Sequence, residues 1–147
     1  MKVDKIIVHC SASPPSVNYD IDALRRTHVD HNGWSDIGYH EYITRDGALH
    51  LGRDLDGNPS TVEKGAHCYG MNNGSYAICM EGGVDEDGNP QENFTHEQWK
   101  MFRFRICELL SLFLLTANDV YGHNDLDPGK ACPSFSVSHK LFRLEID

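Results

Sequence analysis

The chain has 147 residues, 39% hydrophobic and 24% charged, and carries a formal net charge of −9. That length suits one domain with a proper core, and the composition is ordinary for a soluble globular protein. The acidic balance, with no basic cluster beyond Arg25-Arg26 and the spaced Arg103 and Arg105, argues against a nucleic-acid partner. No run approaches the roughly 18 apolar residues of a membrane span, so no membrane insertion is expected.

Met1-Lys2-Val3-Asp4-Lys5 leads straight into a strand-like run and lacks a signal-peptide apolar region. The expectation is a chain made in the cytosol without a Sec-type export signal. Its five cysteines, Cys10, Cys68, Cys79, Cys107 and Cys132, are odd in number and irregularly spaced, which reads as reduced thiols. Cys79 and Cys107 lie inside apolar runs and are expected in the core.

Lys5-Ile6-Ile7-Val8-His9-Cys10 predicts a short buried strand, broken by Ser11-Ala12-Ser13-Pro14-Pro15. His9 therefore stands at a strand end beside a loop, as a site residue or as a hydrogen-bonded terminus. From Asp20, a capping residue, Ile21, Leu24 and Val29 predict a helix that Asn32-Gly33 stops. His28 and His31 on that helix read as surface or half-buried polar residues. Tyr39 to Thr44 and Ala48 to Gly52 predict a hairpin across Arg45-Asp46-Gly47. Alternation assigns Tyr39, Glu41 and Ile43 to one face and His40, Tyr42 and Thr44 to the other. Asp54 to Pro59 and Asp85 to Pro90 share turn chemistry without the spacing of a calcium loop.

Gly65 to Ser75 is a glycine-rich, hydrogen-bonding loop, either a ligand rim or a solvated connection. Tyr76 to Gly83 predicts a buried strand ending in a glycine turn. Thr95 and Gln98 form a capping box for the strongest helix, with Trp99, Phe102, Ile106, Leu109 and Phe113 on its apolar stripe. Leu110, Leu112, Leu114 and Leu115 widen that stripe and extend the prediction to about Ala117. Asn118 to Gly122 predicts a short strand delivering His123, and Ser136 caps a last helix carrying Val137, Leu141 and Leu144. The pattern as a whole is α/β: a mixed sheet with helices packed on it, one domain over residues 1–147.

Three residues offer zinc-type ligands: His9 at the first strand's end, and His123 and Cys132, nine positions apart around Pro128-Gly129. Two imidazoles and one thiolate leave an open fourth position, which is catalytic rather than structural architecture. Amide hydrolysis also needs charge for the oxyanion, for which Lys130 is placed, and a proton shuttle or water-orienting group, for which Tyr39 is a candidate. Each of these residues alone also has a purely structural reading.

Six stretches carry a resemblance: Ile6 to Ser13, Gly33 to His40, Arg45-Asp46-Gly47, Gly65-Ala66-His67, Gly122-His123 and Lys130 to Pro133. Their identity and order resemble the zinc-dependent N-acetylmuramoyl-L-alanine amidases of the phage-lysozyme type, in the amidase type 2 and peptidoglycan recognition protein superfamily. The resemblance implies a central mixed sheet flanked by helices, with one Zn2+ at one edge of a substrate groove. It implies His9, His123 and Cys132 as zinc ligands, Tyr39 and Lys130 as the catalytic pair, and His67 as a substrate contact. The implied reaction cuts the amide between the lactyl group of N-acetylmuramic acid and L-alanine in peptidoglycan. The implied setting is a monomeric phage endolysin, held in the host cytoplasm until lysis. A non-catalytic peptidoglycan-binding module is the rival reading. Some phage relatives also inhibit a phage RNA polymerase, which makes such a polymerase a further partner to consider.

Overall fold

A computed structural model describes residues 1–53 and 61–146, with side chains as far as Leu141. The turn expected at Asp54 to Pro59 and the apolar contact expected of Leu144 lie outside the described residues. Five strands form one sheet: β1 (Lys5–Cys10), β2 (Glu41–Ile43), β3 (Leu49–Leu51), β4 (Ser75–Met80) and β5 (Val120–Gly122). Their order is β3-β2-β4-β1-β5. β1 runs parallel to β4 and β5, β2 runs parallel to β4, and β2 and β3 pair antiparallel as a hairpin. The uninterrupted apolar runs of β1 and β4 suit central parallel strands covered on both faces.

Alternation along the strands sorts the core. Ile6, Val8, Ile43, Tyr76, Ile78, Met80 and Val120 share a cluster with Phe102, Ile106 and Leu109 of α2 (His96–Phe113). Phe135, with Val137 and Leu141 of α4 (Val137–Ile146), completes that cluster. The opposite face carries a smaller cluster, in which Tyr42 and Cys79 meet Ile37 and Leu24 of α1 (Ile21–Arg25). Helix α1 starts where Asp20 accepts the Ala23 N–H at 2.9 Å. It continues through a π-helical turn over Arg26–His31 and ends at Gly33, whose φ of 75° favours glycine.

Helix α2 begins with the expected box: Gln98 N–H donates to Thr95 Oγ1 at 3.1 Å and Thr95 N–H to Gln98 Oε1 at 2.9 Å. Gln98 is buried and also donates from Nε2 to the carbonyls of Ile43 and Glu81, tying the helix start to the sheet. The helix stops at Phe113, short of Ala117, because Leu114 turns left-handed (φ 57°) and Leu115 N–H reaches back to Leu110 O. Leu114 is therefore exposed rather than part of the packed stripe, and Leu112 and Cys107, on the outer side of the helix, are exposed as well. Cys79 is buried as expected.

The strand expected from Tyr39 begins only at Glu41. The bend before it changes the facing of Tyr39, which packs with Tyr42 and Cys79 while Glu41 reaches Arg105 of α2. This departure from alternation brings Tyr39 to the face that carries His9.

Candidate active site

Register brings the first two residues together. β1 pairs β5 in parallel with Val8 opposite Gly122, so His9 and His123, one step further on, sit side by side. Their ring centroids are 4.7 Å apart. His123 opens α3 (His123–Leu126), a single helical turn where a loop was expected. A Cβ at Gly122 would press on Pro133 and Val137, both 3.1 Å away, so glycine permits the close turn that follows.

Cys132 returns to His123 because the intervening chain folds back on α3. Asn124 N–H donates to Cys132 O at 2.8 Å, and Asn124 Nδ2 donates to Phe135 O at 3.2 Å. Cys10 N–H points at Cys132 Sγ at 3.2 Å, and that sulfur lies 3.7 Å from His9 Nδ1. The ligand atoms of His9, His123 and Cys132 all fall within 4.8 Å of one another. They open on a groove of ≈ 350 Å³ that Tyr39, His67 and Lys130 also line.

The donor set fits zinc. Tetrahedral zinc with Zn–N near 2.0–2.1 Å and Zn–S near 2.3 Å needs an N···S separation of about 3.5 Å, close to the 3.7 Å between His9 Nδ1 and Cys132 Sγ. Burial, then the neighbouring His67 and His123, hold His9 well below the usual histidine range. His123 is lowered by burial; Lys130 lowers it further, while Asp127 opposes the shift. Both imidazoles are therefore neutral at pH 7, the form that ligates a metal. Contact with the Cys10 thiol and burial push the Cys132 thiol up, while the same contact brings Cys10 down to about 7. A cation at Cys132 opposes that order, because a coordinated thiol is deprotonated.

Tyr39 stacks obliquely on His9, ring centroids 5.0 Å apart. Burial, and next the Cys79 thiol, raise its hydroxyl well above the usual tyrosine range, so it is a proton donor and not a phenolate. Lys130 is exposed at the groove edge, on a turn closed by its N–H to Asp127 O at 3.0 Å. His67 stands behind His9, with its Nδ1 2.9 Å from His9 Nε2 and its Nε2 3.1 Å from Ser75 Oγ. All six residues singled out from sequence thus meet in one place.

Several further residues hold the groove without lining it. Arg45 donates to the carbonyls of Ser13, Pro14, Pro15 and Val17, fixing the loop after β1. Buried Glu81 accepts the N–H groups of Tyr19 and Arg45 and secures the same loop from below. Arg53 ties the Asp36 and Ile37 carbonyls to that of Lys64. His40 accepts the Ala77 N–H at Nδ1, and so donates from Nε2 to Glu63 O. A Cβ at Gly38 would overlap the Ala66 carbonyl, so that glycine permits the loop bearing His67 to pack. His28, expected at or near the surface, is buried, accepting the Gly38 N–H at Nδ1. In the sequence, Gly38, His40 and Arg45 are marked by their place in the motifs Gly33 to His40 and Arg45-Asp46-Gly47, whereas His28, Arg53 and Glu81 lie outside those stretches.

Comparison with known proteins identifies the family. Residues 1–135 match the family model described as N-acetylmuramoyl-L-alanine amidase. The chain is 38% identical to the endolysin of Klebsiella phage KP32 over 136 residues, covering 92% of this chain and 83% of the relative. It is 37% identical to the endolysin of Escherichia phage T7 over 134 residues, covering 91% and 82%. Among solved structures, the endolysin N-acetylmuramoyl-L-alanine amidase LysCS from Clostridium intestinale URNW superposes with a TM-score of 0.72 at 25% identity, over 96% of this chain and 84% of that one. The Apis mellifera protein PGRP-SA shares the fold alone, with a TM-score of 0.73 at 22% identity over 96% and 82%. The chain belongs to the N-acetylmuramoyl-L-alanine amidase family of peptidoglycan hydrolases, in the group that includes phage endolysins.

Proposed function

We propose that this amidase is zinc-dependent, with one Zn2+ held by His9, His123 and Cys132, and that it cuts the amide between the lactyl group of N-acetylmuramic acid and L-alanine. The observation that carries this reading is the convergence of two neutral imidazoles and one thiol, all within 4.8 Å, on the floor of an open groove. Zinc held there would lower the pKa of a water to about 7 and polarise the scissile carbonyl.

The chain's own groups do the rest. The Lys130 ammonium supplies positive charge where the carbonyl oxygen becomes an oxyanion. The Tyr39 hydroxyl, kept protonated by burial, gives its proton to the leaving amine and is reprotonated by the proton that the attacking water loses. His67 closes the groove behind His9. Residues 1–147 act as one amidase domain, in the role of a phage endolysin that waits in the host cytoplasm and reaches the wall at lysis. Among the described residues, no helix is long and apolar enough to cross a membrane.

The test is release of free amines from purified peptidoglycan by the zinc-loaded protein, with reducing ends counted alongside. Amines without reducing ends, abolished by Cys132→Ser and by chelation, are expected. Reducing ends would mean glycosidic cleavage and overturn the mechanism. Wall binding with no release would leave a binding module.

A further inference from the structure

We propose that His67 is a positioning residue for the metal ligand His9, and that a hydrogen-bond chain from the Asn72 carbonyl sets which nitrogen of His9 faces the metal. The inference rests on the zinc reading above and gives His67 a role beyond lining the groove.

The chain can be followed proton by proton. The Ser75 hydroxyl lies 3.0 Å from Asn72 O and 3.1 Å from His67 Nε2. A carbonyl only accepts, so the single hydroxyl hydrogen goes to Asn72. His67 Nε2 must then carry the hydrogen that Ser75 Oγ receives. A neutral His67 has a bare Nδ1, and that atom lies 2.9 Å from His9 Nε2, so His9 donates to it. The lone pair left on His9 is at Nδ1, the nitrogen 3.7 Å from Cys132 Sγ. With the Ser75 hydroxyl donating to Asn72 and both rings neutral, every hydrogen of the chain has an acceptor, and the chain ends with the ligand lone pair aimed into the site.

The backbone holds the chain in place. Asn72 Oδ1 accepts the N–H groups of both His67 and Cys68 at 2.9 Å. Ser75 is fully buried at the start of β4, in the same sheet as His9. His9 and His67 cross edge to face at 85°, which turns the His67 nitrogen lone pair toward the His9 N–H. Both His67 nitrogens are committed, so the ring offers substrate its carbon edge and not a polar atom. Partners of this kind orient a ligand and fix its tautomer, and their loss typically weakens metal binding by about 10–100-fold.

The experiment is zinc competition between a chromophoric chelator and the holoprotein, for wild type, His67→Ala, His67→Gln and Ser75→Ala. His67→Ala is expected to bind zinc about 10–100-fold more weakly. Gln, whose amide oxygen can accept the His9 hydrogen, should recover part of the loss, and Ser75→Ala should fall between. Long-range 1H–15N NMR of the wild-type imidazoles tests the same chain without a variant, and decides it where a variant fails to fold. Both His9 and His67 should carry their hydrogen on Nε2. Unchanged zinc affinity in folded His67→Ala, with a raised KM for peptidoglycan fragments, would make His67 a substrate contact only and overturn the inference. A hydrogen on His67 Nδ1 would overturn it equally. A wild-type protein that binds no zinc would sink the parent reading, and the tautomer spectrum would still judge the chain itself.

Discussion

The two faces of one sheet are built to different ends. On the α2 side, Ile6, Val8, Ile78 and Met80 meet Phe102, Ile106 and Leu109 in a continuous apolar cluster. On the α1 side, four buried residues, Leu24, Ile37, Tyr42 and Cys79, form the core. Beyond them the face passes into His9, Tyr39, His28 and His67. Apolar burial stabilises roughly in proportion to area, so the α2 face supplies most of the fold's stability. The α1 face gives up area to hold neutral histidines and a thiol in fixed positions. Both faces come from the same strands, read at alternate residues.

The two faces should therefore fail differently. Cys132→Ser should reduce amidase activity by more than about 100-fold, while its denaturant midpoint stays near that of metal-free wild type. Phe102→Ala, on the other face, should cost about 3–5 kcal/mol in chemical denaturation. The kcat/KM of its folded fraction should stay near wild type. Arg105→Met should cost about 3 kcal/mol, because it leaves the fully buried Glu41 carboxylate without its partner. Its penalty should shrink as the pH falls and Glu41 takes a proton.

Acid should separate the faces by sign. On the groove side, burial lowers His9, His28 and His67, the last to about 3. In metal-free protein the unfolded chain takes up protons as pH falls through about 6.5. Folded His67 does not follow until about 3. The unfolded state therefore binds more protons in that window, and stability should fall as pH drops across it. Glu41, on the α2 side, is raised by burial, with Arg105 opposing. The folded state there binds the extra proton, so Glu41 works in the opposite sense just above 4.5. Denaturant midpoints across this range should fall in wild type, and fall less steeply in His28→Gln. The smallest effect expected is Thr95→Ala, about 1 kcal/mol from loss of the α2 cap, with no change in zinc affinity.

Much of this was legible in the chain. The apolar run before His9, the Asp46-Gly47 hairpin and the Thr95–Gln98 box each state a local preference strong enough to survive folding. The errors came where local pattern meets tertiary demand. Leu112 and Leu114 extend a helical stripe, yet Leu112 falls on the solvent side of α2 beside Glu108 and Ser111, and the left-handed turn at Leu114 ends the helix before Leu114 can pack. Tyr39 alternates with Glu41 on paper, yet the bend at Gly38–His40 turns it to the other face. Cys107 sits among apolar neighbours but on the solvent side of α2.

The sequence by itself determined the elements and the donor chemistry, because capping, periodicity and ligand type are properties of residues and their near neighbours. It determined the family as well, through motifs spread in a fixed order along the chain. Only the tertiary structure decided that β1 lies between β4 and β5. That register sets His9 beside His123, and Asn124 draws Cys132 back to them. It also decided that Ser75 and Asn72, with no ligand chemistry of their own, stand in line behind His9. The physical reason is range: a hydrogen bond acts over about 3 Å in space, and which residues come that close depends on strand order, which no local preference encodes.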